Sequence, residues 1–113
     1  MDLVNPTQIL RGEIWLSRLD STVGSEIQKT RPCLIVSPDV MNQQLRSVIV
    51  MPLTSGSFLR PFRLATQLGG RSGFLLGDQL RTLSKKRLVK KVALVDGATL
   101  SAALAILREM FEE

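Results

Sequence analysis

The stretch GSEIQKTRPCLIVSP, residues 24–38, decides how this chain reads. Its first half is polar and charged and ends in Thr30-Arg31; its second half is the apolar run Cys33-Leu34-Ile35-Val36, closed by Ser37-Pro38. A short apolar run between turn signals is the pattern of a buried strand. Pro32 has no backbone N–H and suits the first residue of that strand. Arg31 then stands at the strand's mouth, with core behind it and a loop in front. A guanidinium mounted rigidly beside a loop is well placed to hold a phosphate; the alternative is an ion pair at the strand edge, with Glu26 as partner.

Outward from this strand, the chain breaks into short segments. Residues 1–10 are a loose lead-in with an Asn5-Pro6 turn signal. Residues 13–19 (EIWLSRL) form a strand of mixed faces, and residues 20–29 a polar loop long enough to be functional. Residues 32–37 are the second strand, 38–46 a short helix or wide turn, and 47–53 (SVIVMPL) a β-branched third strand, with Pro52 at an edge or bulge. Residues 61–68 (PFRLATQL) alternate as a half-exposed strand. The glycines of residues 69–73 mark a turn, read as a hairpin in preference to a phosphate cradle. Residues 74–77 are a short strand, Ser84 caps a helical turn, and 88–94 (LVKKVAL) are a last strand.

The final segment, 96–112, has the clearest helix signals. Asp96 is a good N-cap, and Val95 and Leu100 are spaced for a hydrophobic staple. Leu100, Ala103, Leu104, Leu107 and Phe111 recur at helical spacing, so that face is expected to be buried. Short strands with one terminal helix predict a mainly β fold, a small and strongly bent barrel, over residues 1–113 as a single domain.

Composition narrows the chemistry. The chain of 113 residues is 44% hydrophobic and carries a net charge of +5. Three of its ten acids, Glu109, Glu112 and Glu113, crowd the C-terminus, so the rest of the chain is more basic than the total shows. That is the footprint of a partner for a polyanion. The one cysteine, Cys33, lies in an apolar run and reads as a small buried hydrophobe in a reducing compartment. The N-terminus lacks the regions of a signal peptide, and no apolar run is long enough to span a bilayer. A cytoplasmic setting is expected, with no membrane partner. There is no histidine, which removes the commonest general base and metal ligand. The acids are scattered, so no metal and no cofactor is expected. What remains is Arg, Thr, Ser, Glu and Asp at strand ends. RNA suits that set because its 2′-OH is a nucleophile already placed beside the phosphate. The protein then needs to hold the phosphate, stabilise growing charge and help move protons.

The segments RGEIWLSRLDSTVGSEIQKTRPCLIVSPD (11–39), VIVMPLTS (48–55) and GDQLRTLSKKRL (77–88), followed by a terminal helix, resemble the MazF/PemK toxins of bacterial toxin–antitoxin systems. The resemblance implies an SH3-like barrel, a homodimer, and metal-independent, sequence-selective cleavage of single-stranded RNA to a cyclic phosphate and a 5′-hydroxyl, arresting translation and growth. It implies an acidic antitoxin lying over the RNA groove, with DNA reached only through the antitoxin complex. It places the family's catalytic arginine on Arg31, its threonine on Thr54 and the glutamate of its GSE run on Glu26. Glu26 would orient Arg31, act as base, or remain a solvated loop acid. The family's DQ pair falls on Asp78 and Gln79, with Arg81 after it. Gln79 would read a base edge or close a turn; Arg81 would bind phosphate or pair with Asp78. The basic residues expected to rim the RNA groove are Lys29, Arg31, Arg60, Arg63, Arg71 and Arg81.

The chain departs from the family in one respect. Some PemK-type members use a loop histidine and an arginine two residues before the DQ aspartate; here that position is Leu76 and histidine is absent. This counts against Asp78 as general base. Trp15 reads as core or dimer interface in preference to RNA stacking. Two alternatives share the barrel: a CcdB-like toxin acting on a protein target, and an inactive nucleic-acid-binding relative.

Overall fold

A computed structural model describes residues 8–19, 30–56 and 60–113. Glu26 and Lys29 lie outside them. Seven strands are seen among the described residues: β1 (Glu13–Arg18), β2 (Thr30–Ile35), β3 (Ser47–Thr54), β4 (Arg63–Leu68), β5 (Arg71–Leu76), β6 (Arg81–Ser84) and β7 (Leu88–Leu94). Two helices accompany them, α1 (Asp39–Gln44) and α2 (Gly97–Met110). The order is β4-β5-β3-β2-β1-β7, with β6 also on β3, and every pairing is antiparallel. This is the mainly β, SH3-like fold with a terminal helix that the sequence predicts.

Strand β3 is the hub. One edge pairs with β2, Cys33 opposite Pro52 and Ile35 opposite Val50. The other edge serves two partners in turn: Ser47–Val50 face β6, and Leu53 and Thr54 face β5. Pro52 sits at the changeover, where its missing N–H interrupts no ladder on the outer edge. The sequence reading of Pro52 as an irregularity thus has its cause in a change of partner.

Strand β2 is buried on both faces, which explains its continuous apolar run. Leu34 joins a core with Ile14, Met51, Leu53, Leu75 and Ala103. Cys33 and Ile35 join a second core on the opposite face, with Ile9, Val48, Val50 and Leu83. Ile9, at the end of the expected lead-in, is therefore buried. Trp15 packs against this second core and donates from Nε1 to Glu13 Oε1 at 3.0 Å. Helix α2 closes the first core through Leu104 and Leu107. Its N-cap is Asp96, which accepts from the Thr99 N–H at 2.7 Å. Phe111 is a correction: it lies just past the helix, 72% exposed, and does not join the buried face.

The region 38–46, left between helix and turn, contains α1. Its Asn42 side chain is buried and bonded to Ser37. Strand β2 starts two residues before Pro32 because β1 extends to meet it, Arg18 opposite Thr30 and Ser17 opposite Arg31. The glycine-rich segment also resolves differently. Only Gly69 and Gly70, at φ 58° and 79°, make the turn; Arg71 to Gly73 already belong to β5. Strand β6 was not expected as a separate element, since its four residues RTLS are polar but for Leu83.

Candidate functional site

Continuing the β2–β3 register by two residues sets Arg31 opposite Thr54. Their side chains meet: Arg31 Nη1 lies 3.4 Å from Thr54 Oγ1. The Gly56 N–H also donates to Thr54 Oγ1, at 3.1 Å. With both lone pairs of Oγ1 engaged, the hydroxyl proton is left to donate outward. Both residues are half-buried, so each side chain is held at its base and open at its tip.

This pair forms a shared wall between two hollows. One, of about 360 Å³, runs to the β4–β5 hairpin and is lined by Thr66, Leu68, Arg71, Ser72 and Gly73 beside Arg31 and Thr54. The other, of about 270 Å³, lies toward Leu19, Arg63, Leu76 and Gln79. Ends of four strands, β2, β3, β4 and β5, thus bring Arg31, Thr54, Arg63 and Arg71, with Gln79 from the turn after β5, to the two hollows beside this wall.

The charges within them are not equivalent. Arg63 is engaged by Asp78 through both arms, Nε to Oδ1 and Nη2 to Oδ2, each at 2.9 Å. That fork holds the Asp78 carboxyl below its ordinary range and raises Arg63 further. Asp78 therefore pairs with Arg63 and not with Arg81, the partner weighed from sequence. Arg71 is exposed on the opposite side, at the start of β5. Arg60 is exposed as well and lies near enough to Asp78 to act on its charge.

Arg81 stands on β6 opposite Val50, away from both hollows. It and Arg31 both act on the charge of Cys33, yet burial prevails and pushes that thiol up to about 11. Cys33 stays protonated beneath the site, its Sγ 3.7 Å from the Arg31 carbonyl oxygen, and is no nucleophile. Among the described residues no group of three His, Cys, Asp or Glu side chains comes together to hold a metal.

Several wall residues escaped the sequence reading, Ser55, Thr66, Ser72 and Gly73 among them. Gly73 carried the one signal that was available. A Cβ there would sit 2.5 Å from the Thr54 carbonyl oxygen, so β5 approaches the site as only glycine permits. A glycine inside a strand marks such approaches, but here it was hidden in what read as a turn.

Comparisons with known proteins fit this arrangement. Residues 10–111 match the family model described as PemK-like, MazF-like toxin of type II toxin-antitoxin system. The Escherichia coli protein named Endoribonuclease PemK is 46% identical over 81 residues, which cover 67% of this chain and 61% of that protein. Endoribonuclease EndoA of Bacillus subtilis is 30% identical over 96 residues, covering 78% and 81% of the two chains. A mycobacterial endoribonuclease solved in complex with its cognate antitoxin has a TM-score of 0.75 at 25% identity, covering 89% of this chain and 92% of its own. The MazF fold is seen again in a MazE–MazF crystal structure from Deinococcus radiodurans, at TM-score 0.80 and 24% identity over 91% and 95% of the two chains. Family model, relatives and fold agree, and the chain belongs to the PemK-like, MazF-like toxins of type II toxin–antitoxin systems.

Proposed function

We propose that this protein is a metal-independent endoribonuclease that cuts single-stranded RNA at short sequences. The observation that carries the proposal is the Arg31–Thr54 contact on the wall shared by two hollows. The curated relatives being named endoribonucleases supports it, and favours it over a protein-targeting toxin.

The RNA lies across the wall with its scissile phosphate against Arg31 and Thr54. The 2′-oxygen attacks phosphorus and forms a new P–O bond while the P–O5′ bond breaks. The products are a 2′,3′-cyclic phosphate and a 5′-hydroxyl. Charge grows on the non-bridging oxygens as the trigonal bipyramid forms. The Arg31 fork and the outward Thr54 hydroxyl donate to those oxygens, and such donors matter most where charge develops. A proton must leave the 2′-OH and another must reach the leaving oxygen. Arg31 is unfitted for that transfer because its guanidinium stays protonated. Glu26, which precedes β2 in the sequence, is the acid proposed as base or as orienter of Arg31. Arg71, Arg60 and Lys29 steer and hold the flanking phosphates; Gln79 reads a base in the second hollow.

A homodimer is part of the proposal, and the chain offers apolar surface for it on the edge strand β7, where Val89, Val92 and Leu94 are exposed. The partner in the cell is an acidic antitoxin that occupies the same groove, through which alone DNA is reached. The setting is the bacterial cytoplasm, and the outcome of cleavage is growth arrest.

The deciding assay incubates purified protein with a long RNA in EDTA and maps the new 5′ ends. Cleavage is expected to persist, leaving 5′-hydroxyl ends. Cleavage that needs added magnesium overturns the mechanism.

A further inference from the structure

Beyond the wall, the first hollow opens into another of about 510 Å³, which shares Ser55, Thr66, Ser72 and Gly73 with it. The two differ in charge. The first holds Arg31 and Arg71; the larger is lined by no cation, but by Gln67, Ser72, Phe74, Asp96 and Thr99. A phosphodiester belongs in the first. The larger hollow repels phosphate through Asp96 and offers a base what it needs: a ring surface in Phe74 and polar groups for its edge.

Resting on the endoribonuclease reading, we propose that this larger hollow is a nucleobase subsite, in which Asp96 and Gln67 choose the base at one nucleotide flanking the scissile phosphate. Asp96 Oδ1 accepts from the Thr99 N–H and the Thr99 side chain bonds the same carboxylate, which with its four lone pairs can still accept from one further donor. A carboxylate oxygen here accepts from an exocyclic amine, as adenine, cytosine and guanine present on their Watson–Crick edges. Uridine offers only N3–H between two carbonyl oxygens, which repel the carboxylate. The Gln67 amide, on β4 across from Ser72, supplies the second hydrogen bond. The subsite therefore discriminates against uridine, by roughly tenfold for one charge-assisted hydrogen bond.

The test sequences the 5′ ends left on a long RNA of mixed sequence by wild type, Asp96→Ser, Asp96→Asn, Gln67→Ala and Arg31→Ala. Serine and asparagine both cap helices, so the Asp96 variants keep α2, which circular dichroism and melting check. Wild type is expected to show uridine depleted roughly tenfold at one flanking position. Asp96→Ser and Gln67→Ala erode that depletion while cutting continues, and Asp96→Asn, which turns an acceptor into a donor, raises uridine further. Arg31→Ala is silent throughout. A wild-type protein that cuts no RNA overturns the endoribonuclease reading and this subsite with it. Wild-type cutting with the same base frequencies in all three subsite variants overturns the subsite alone.

Discussion

At the Arg31–Thr54 contact two donors converge on one hydroxyl oxygen, and the consequences are testable one side chain at a time. Arg31→Ala should abolish cleavage with fold intact, and Thr54→Ala should weaken it severely; each removes a donor to developing charge, worth ~3 kcal/mol or about 10²-fold in rate. Arg31→Lys should recover only part, because a point charge lacks the planar fork. Initial rates on one RNA site decide this, and near wild-type cutting by Arg31→Ala would move the chemistry elsewhere. The Arg63–Asp78 fork gives a pH prediction. Asp78 has its carboxyl depressed in the folded state, so its contribution to stability is present above the unfolded value and fades as pH falls through the folded one. Asp78→Asn should therefore melt below wild type at neutral pH, and the two should converge as pH drops below about 4. Arg31 was legible as a residue flanking an apolar run, and Thr54 only through the family resemblance of its PLTS run. Their contact was not, since it depends on how β2 and β3 register.

Elements were read best where hydrophobic pattern and local punctuation agree. Strand β7 and the Asp96 cap of α2 are found where the sequence puts them. Errors arose where a partner strand supplies the hydrogen bonds. Thr30 and Arg31 look like loop until β1 pairs with them, and β6 looks like a link until β3 does. Phe111 kept helical spacing one residue past the last turn, so periodicity claimed burial that the helix no longer enforces. Gly73 gives the prediction at this level. Gly73→Ala drives a methyl against the Thr54 carbonyl oxygen, backbone that has little room to yield. Stability should fall by ~1–3 kcal/mol, seen as a melting point lower by about 5–10 °C. Cleavage should fall further than stability does, because the displaced residue is Thr54 itself. Activity measured well below the melting point separates the two effects.

At the scale of the whole molecule, Arg31, Arg63 and Arg71 line the two hollows, and three of the ten acids lie at the C-terminal end. RNA and an acidic antitoxin segment should accordingly compete for one surface. For a non-cleaving Arg31 variant, three or four neutralised phosphates give a log–log salt slope near −2 to −3. RNA affinity should fall as antitoxin peptide is added; a ternary complex with unchanged RNA affinity would refute the shared surface. The changeover on β3 has another consequence. The β4–β5 hairpin joins the remaining sheet through two residue pairs, Leu53–Leu75 and Thr54–Phe74. Arg31 is anchored on the other side of that seam, in strands braced by both cores. On the proposed function, the tip of the hairpin at Gly69 and Gly70, which stands in open space, can change length or sequence while Arg31 keeps its mounting, so new target sequences come within reach without reinventing the blade.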